Sequence, residues 1–280
     1  MPDTSTITPG EAAATDAGAD AKPERARKDR AKDERTVGER VREELRFFGG
    51  LMAVMLFLFT FVFGHFKIPS ESMQPTLEVG DHLYASKHAY GYSRHSLPFG
   101  LHNLTDSEFH WFSRVPERGD VAVFRHPRSG LVMIKRVVGL PGDTIETVNG
   151  RLVVNGTVLA RDAQAQHRYR EFAKPRSAGL VADVTEYSEQ FPGEDGPHRI
   201  FERGDAMPLD NRGPWAVPEG TVFMVGDNRD NSVDSRAPTG PGFVPLDHLI
   251  GRAELMMFSF NRCKAEDGLR CPGSRWFRRL

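Results

Sequence analysis

The sequence predicts a mainly β protein, arranged as a barrel or sheet and preceded by one membrane-spanning helix. Gly and Pro are frequent among the 280 residues, at 27 and 19, which suits loop-rich β structure. Short apolar or alternating runs bounded by Gly, Pro and Asp recur after residue 67 and are typical of strands. One long apolar run, at residues 47–66, precedes them.

Residues 1–46 are predicted to form a disordered cytoplasmic tail. Residues 1–22 contain almost no large apolar side chain, and residues 23–46 alternate basic and acidic side chains. Such a segment buries too little apolar surface to offset the entropy lost on ordering. Charges spaced four apart would also support a solvated helix just before the membrane, so this alternative stays open.

Residues 47–66 are predicted to form the transmembrane helix because the run carries no formal charge. Twenty helical residues reach roughly 30 Å, the thickness of the hydrocarbon core. A cleaved signal peptide would have a shorter apolar run followed by a cleavage site, and a buried core helix would be less apolar around its circumference. Residues 27–46 hold eight Lys or Arg, whereas residues 67–86 hold one. This asymmetry predicts a cytoplasmic N-terminus and an external domain at 67–280.

The external domain contains clear strand and turn signals. Residues 121–125, 133–138 and 221–225 read as strands. The dipeptides Asn149-Gly150 and Asn155-Gly156 predict two consecutive tight hairpin turns. Residues from about 155 to 220 are polar, rich in Pro and Gly and weakly periodic, so they are predicted to form an inserted, smaller subdomain of strands and loops.

Three segments carry residues suited to chemistry, namely 68–77 (IPSESMQPTL), 133–143 (MIKRVVGLPGD) and 226–236 (GDNRDNSVDSR). Prolines at 69 and 75 restrict the backbone around Ser70 and Ser72, and a serine hydroxyl needs a base to become a nucleophile. Lys135 lies within an apolar strand, where burial disfavours the ammonium form. Serine–lysine pairs are a recognised variant of the serine triad.

These segments, in this order and behind a membrane anchor, resemble the type I signal peptidases of bacteria. Residues 78–91 resemble that family as well; the likeness covers about 66–136 and 226–253, and hardly touches 155–220. It implies a plasma-membrane serine endopeptidase that removes signal peptides after small-x-small sequences, without metal or cofactor. Its implied partners are secretory preproteins delivered by the export machinery and the lipid bilayer.

The resemblance also implies a role for each matched residue. Ser72 matches the nucleophile, Lys135 the general base, and Ser70 a side-chain donor of the oxyanion hole. Ser232 matches a serine that orients the lysine; the matched ion pairs are Asp227 with Arg136 and Asp234 with Arg236. The positions that match the lining of the shallow substrate pockets are Phe66, Ile68, Leu77, Leu83 and Ile134.

Two further expectations concern single side chains. Glu71 stands where glycine is common in the family, and we expect its side chain to face solvent; the alternative is that it narrows substrate choice. Cys263 and Cys271 lie on the oxidising side of the membrane, so a disulfide between them is predicted.

Other classes of protein fit the sequence less well. None of the ten histidines lies in a segment that resembles a Ser-His-Asp triad. Self-cleaving repressors share serine–lysine chemistry but have no anchor, and a net charge of -1 does not favour a nucleic-acid partner. A non-catalytic binding module with the same fold stays open, although the matched polar residues are all present.

Overall fold

The structure is a computed structural model and describes residues 36–97, 109–171, 179–194, 196–260, 266, 268–273 and 275–280. The chain divides into two compact units, residues 1–55 and 56–280. The helix α1 (Val37–Phe61) begins in the first unit and ends in the second.

Helix α1 begins at a capping box. The Thr36 hydroxyl accepts a hydrogen bond from the Glu39 backbone N–H at 3.4 Å, and the Thr36 N–H donates to the Glu39 carboxylate at 3.1 Å. This reciprocal pair satisfies N–H groups that a helix start leaves without partners. The last part of the predicted tail is therefore helical, as in the alternative left open above, while residues 1–35 lie outside the described residues.

The helix has 25 residues, an 18-residue window within it has a mean hydropathy of 1.6, and none of its residues is buried. It is long and apolar enough to cross a membrane. The boundary predicted at Phe66 is wrong, because Phe63–Lys67 form a strand that pairs with Asp81–Ser86. An apolar run does not by itself distinguish a helix from a buried strand.

The prediction of a mainly β domain is confirmed. Its strands are all antiparallel where they pair. They are β1 Phe63–Lys67, β2 Asp81–Ser86, β3 Tyr92–Ser93, β4 His110–Trp111, β5 Val121–Arg125, β6 Val132–Gly139, β7 Thr144–Val148, β8 Arg151–Val154, β9 Thr157–Val158, β10 Arg161–Arg170, β11 Val181–Glu189, β12 His198–Glu202, β13 Arg212–Ala216, β14 Thr221–Val225, β15 Phe243–Pro245, β16 Leu249–Ser259 and β17 Trp276–Arg279.

The largest sheet has the order β1-β2-β16-β5-β6-β14-β15, and β17 also pairs with β16. Its two faces bury different apolar clusters, as alternation along a strand requires. In β5, Val121 and Val123 belong to one cluster, whereas Ala122 and Phe124 belong to another. A third cluster packs between this sheet and the smaller sheet β13-β7-β8-β9, and it includes Leu152 and Phe223.

Both predicted hairpin turns are confirmed. Asn149 and Gly150 have φ values of 48° and 74° and join β7 to β8. Asn155 and Gly156 have φ values of 51° and 78° and join β8 to β9. Two consecutive residues with positive φ are the requirement of a type I′ turn, which explains the Asn-Gly pairs.

The inserted segment contains a three-stranded sheet, β10-β11-β12, with a small core of its own. The last strand of the inserted segment, β13, does not belong to this three-stranded sheet. It pairs with β7 in the four-stranded sheet. The periodicity of the inserted segment is weak in the sequence since most of β10 is exposed on both faces.

One cysteine of the predicted disulfide is described. Cys271 is disulfide-bonded, but Cys263 lies outside the described residues. The pairing between them therefore stays a prediction.

We expect Leu152→Ala to destabilise the domain, because Leu152 is fully buried in the cluster between the two sheets. Truncating a buried leucine removes apolar contact and leaves a cavity, which costs about 2–5 kcal/mol. The matched control is Leu180→Ala, since Leu180 is 59% exposed. Thermal unfolding of both variants in detergent measures the difference; equal midpoints would show that this cluster does not support the domain.

Candidate active site

Ser72 lies in a single 3-10 turn, Glu71–Met73, a few residues after β1. Ile68 and Met73 flank it, with exposures of 2% and 1%, and both belong to the same apolar cluster. These two side chains hold the turn against the sheet, while Ser70 and Ser72 remain partly exposed.

Lys135 lies in β6, between β5 and β14, and is 3% exposed. Its Nζ donates to Ser72 Oγ at 2.6 Å and to the carbonyl oxygen of Ile134 at 2.9 Å. Ser70 Oγ lies 3.3 Å from Ser72 Oγ. The three residues assigned to catalysis from the sequence therefore meet at one point, although they come from separate segments.

This arrangement suits acyl transfer. A serine hydroxyl within hydrogen-bond distance of an amine can lose its proton to it while attacking a carbonyl carbon. In the described ranges no hydrogen bond joins Ser72 to a histidine, so lysine is the base that the geometry offers.

The loop after β14 holds the Ser72 turn from the other side. The backbone N–H of Asn228 donates to the Ser72 carbonyl oxygen at 3.1 Å, and the Asn228 side chain donates to the Glu71 carbonyl oxygen, also at 3.1 Å. Sequence reasoning assigned no role to Asn228, although it lies inside the motif 226–236, next to Asp227.

Gly226 has no room for a side chain. A Cβ atom there would lie 2.5 Å from the Ser72 carbonyl oxygen and 2.3 Å from Ser232 Oγ. The first of these is a backbone atom and cannot rotate away. Glycine at this position therefore lets the loop approach Ser72 closely.

Arg136 and Asp227 form a buried ion pair next to the candidate active site. The guanidinium binds both carboxylate oxygens, at 2.8 and 2.7 Å, and also donates to the Gly119 carbonyl oxygen at 2.7 Å. Burial alone would raise the pKa of Asp227, but Arg136 outweighs it and holds the pKa below its usual value. The bidentate pair joins the strand of Lys135 to the loop that binds Ser72.

Asp234 and Arg236 form a second buried pair, with contacts of 3.0 and 2.9 Å. Asp234 also accepts a hydrogen bond from the Gly226 N–H at 3.0 Å. Arg236 opposes the effect of burial and keeps the pKa of Asp234 below its usual value. This pair therefore supports the same loop that contacts Ser72.

Ser232 does not make the hydrogen bond to Lys135 that the resemblance implies. Its hydroxyl is buried and lies close enough to the Asp234 carboxylate to help lower the pKa of that group. The Ser232 side chain occupies the space that the Cβ of a larger residue at position 226 would need. Ser232 therefore lies in close contact with Gly226.

The expectation that Glu71 faces solvent is wrong, since its side chain is 2% exposed. The 3-10 turn that leaves Ser72 partly exposed points the preceding side chain inward. Asn228 also binds the Glu71 carbonyl oxygen, which places the loop after β14 against this residue.

The five predicted pocket residues share one apolar cluster. Ile68, Leu77 and Leu83 are buried, with exposures of at most 2%, whereas Phe66 and Ile134 are partly exposed and pack against them. Only the last two therefore offer surface to a peptide in this structure, and the other three form the layer beneath.

The family model described as signal peptidase, peptidase S26, matches residues 41–258, more than half of the chain. The chain belongs to the signal peptidase family. The resemblance noted in its sequence is thereby confirmed. The protein is a serine endopeptidase of this family, and its described residues include one candidate membrane helix.

Several signal peptidases are similar to the chain over most of its length. Signal peptidase I of Pseudomonas aeruginosa is 36% identical over 219 residues, which cover 75% of this chain and 70% of that protein. Signal peptidase I of Rickettsia typhi is 32% identical over 235 residues, covering 81% and 84%. A crystal structure of a signal peptidase I from Enterococcus faecalis is 29% identical and covers 50% of this chain and 97% of that one, but its TM-score of 0.29 carries no weight for the fold.

We expect Gly226→Ala to lower kcat by about 10²-fold, because the new methyl group must displace the Ser72 carbonyl, and misplacing a reacting group by about 1 Å has that cost. The matched control is Gly204→Ala, since nothing lies within 4 Å of a Cβ at Gly204. Peptide cleavage and thermal unfolding are measured on both. Near-normal kcat in a folded Gly226→Ala variant would contradict the close approach.

Proposed function

We propose that the protein removes N-terminal signal peptides from secreted preproteins, cutting after small-x-small sequences through an acyl-enzyme on Ser72. The observation that carries the proposal is the 2.6 Å contact between Lys135 Nζ and Ser72 Oγ, made by a lysine that is 3% exposed. A neutral lysine in this position is the general base.

Acylation begins when Lys135 takes the proton of the Ser72 hydroxyl as the oxygen attacks the scissile carbonyl carbon. The new C–O bond pushes negative charge onto the carbonyl oxygen, which the Ser72 N–H and the Ser70 hydroxyl stabilise. The ammonium of Lys135 then protonates the departing amine, and the C–N bond breaks. The mature protein leaves, and the signal peptide stays on Ser72 as an ester.

Deacylation repeats these proton transfers with water. Lys135 takes a proton from a water molecule as it attacks the ester carbonyl. The tetrahedral intermediate collapses, the Ser72 oxygen leaves and recovers its proton from Lys135, and the signal peptide is released as a carboxylic acid. Acylation and deacylation, as proposed, use only Ser72, Lys135, the substrate and water, and need no metal or cofactor.

The apolar surface beside the nucleophile supports a preference for small side chains. Phe66 and Ile134 rest on a fully buried layer, so the surface they form is shallow and a large side chain would find little depth. Small residues before the cut are the mark of secretory signal peptides.

The charges around α1 support a location in the plasma membrane with the N-terminus in the cytoplasm. Eight Lys or Arg residues precede the apolar part of the helix at 27–46, and one follows it at 67–86. The catalytic domain is then extracytoplasmic, where preproteins emerge from the export machinery.

We expect Lys135→Arg and Lys135→Ala each to lower kcat at least about 10³-fold, because a guanidinium stays protonated and loss of one member of a catalytic unit has an effect of this size or larger. The purified full chain in detergent is incubated with a secretory preprotein, and the mass of the products locates the cut. The matched control is Lys67→Arg, which makes the same substitution at an exposed lysine.

Substantial turnover by the Lys135→Arg variant would contradict the role of Lys135. If the wild-type protein leaves a preprotein with a small-x-small site uncut, the signal-peptide assignment fails. Binding without cleavage would instead support the remaining candidate, a non-catalytic module with the same fold.

We expect Ser70→Ala to lower kcat by about 10²–10³-fold and to leave KM nearly unchanged, because a donor to the oxyanion acts in the transition state. Ser70→Thr keeps the hydroxyl and should recover part of the loss. If Ser70 only braced the turn, Ser70→Ala would lose thermal stability together with activity, and the oxyanion role would be wrong.

A further inference from the structure

A cluster of polar side chains lies outside the catalytic residues, where two 3-10 turns, Arg94–Ser96 and Leu246–His248, pack together. His95, Asp247 and His248 each offer one ligand atom here, and the three atoms lie within 4.8 Å of one another. Two imidazoles and a carboxylate are ligands that zinc and its neighbours among the transition metals prefer.

His95 carries a buried nitrogen without a partner. The residue is 7% exposed, and its Nδ1 makes no hydrogen bond in the part of the chain that the structure describes. Its other ring nitrogen, Nε2, accepts a long hydrogen bond of 3.4 Å from Arg94 Nε. Buried polar atoms are nearly always satisfied, so this nitrogen is available to a partner from outside the chain.

His248 is oriented as a metal-binding histidine would be. Its Nδ1 lies 2.9 Å from the carbonyl oxygen of Arg125, which can only accept, so Nδ1 carries the ring proton. The lone pair of the neutral ring is then on Nε2. A backbone carbonyl that fixes one ring nitrogen in this way is the usual support of a histidine ligand.

The turn that carries His95 is also held in place. The Ser93 hydroxyl accepts from the His95 N–H at 3.2 Å, and the Ser96 hydroxyl accepts from the Ser93 N–H at 3.3 Å. This capping box fixes the backbone of the turn. Two of the three ligands therefore sit on preorganised supports.

We infer that His95 Nδ1, His248 Nε2 and one carboxylate oxygen of Asp247 bind a divalent transition-metal ion with the ligand preferences of zinc, joining the two turns. Ligand atoms on a tetrahedral zinc lie roughly 3.3 Å apart, given Zn–N bonds of about 2.0–2.1 Å. One ligand atom from each of the three side chains already lies within 4.8 Å of the others, at most about 1.5 Å more than this separation. A fourth position is left for water.

Charges near the cluster both favour and oppose a cation. Asp247 supplies one negative charge, whereas Arg94 and Arg125 also act on His95. When Nδ1 holds a metal, the proton of the neutral ring moves to Nε2, so the Arg94 hydrogen bond must break. Arg94 thus competes with the metal, and its removal should tighten binding.

The test uses the full chain in detergent, freed of metal with a chelator and titrated with Zn²⁺ by calorimetry and with Co²⁺ by visible absorption. We expect one ion per chain and a tetrahedral Co²⁺ spectrum. His95→Ala, His248→Gln and Asp247→Asn should each weaken binding at least about 10-fold, and Arg94→Gln should strengthen it. Zn²⁺ should raise the thermal midpoint of the wild type but not of the three weakened variants.

The matched control is His65→Ala. His65 and His82 form another histidine pair, with ring nitrogens 3.0 Å apart, and would be the competing metal site. Unchanged Zn²⁺ affinity in His65→Ala supports the inference. Loss of binding in His65→Ala, equal affinity in all variants, weaker binding by Arg94→Gln, or no binding by the wild type would overturn it. Asp247 and His248 are only partly buried, so their variants keep the test valid if His95→Ala does not fold.

Discussion

The geometry around Ser72 depends on the contact between the Ser72 carbonyl oxygen and the loop after β14. That loop reaches Ser72 because Gly226 has no side chain, and the Asn228 N–H then binds the carbonyl at 3.1 Å. Lys135 reaches Ser72 from β6, whose register against β5 and β14 determines where its side chain begins. Ser72 and Lys135 are therefore positioned by two separate elements, and the buried pair of Arg136 and Asp227 joins these elements.

The buried ion pairs near Ser72, Arg136 with Asp227 and Arg236 with Asp234, fix the positions of the segments that they join. The free energy of removing two charges from water can exceed the free energy gained from their attraction. Stability alone therefore does not explain such buried ion pairs. A bidentate arginine–carboxylate contact does fix distance and angle. The pKa values of Asp227 and Asp234 are lowered in the fold. Their contribution to stability is present above the unfolded pKa of about 3.9 and is lost as the pH falls through the lower folded values.

Much of the fold follows from local patterns. The Asn-Gly turns at 149–150 and 155–156 require positive φ, and this chemistry needs only neighbouring residues. The end of α1 could not be predicted from local patterns. The apolar run continues to Phe66, but Phe63–Lys67 form a strand because they pair with β2. The strands of the inserted sheet were also obscured, since β10 lacks a buried face that would impose alternation.

The sequence by itself predicted the candidate membrane helix, the β class and the two residues, Ser72 and Lys135, that meet in the structure, because each depends on a run or motif within a short segment. Only the tertiary structure decided that Glu71 is buried, that Ser232 packs against Gly226, and that Asn228 binds the turn containing Ser72. It alone brought His95 beside His248. These features are contacts between segments far apart in the chain, and no local spacing encodes which distant side chain will occupy a given space.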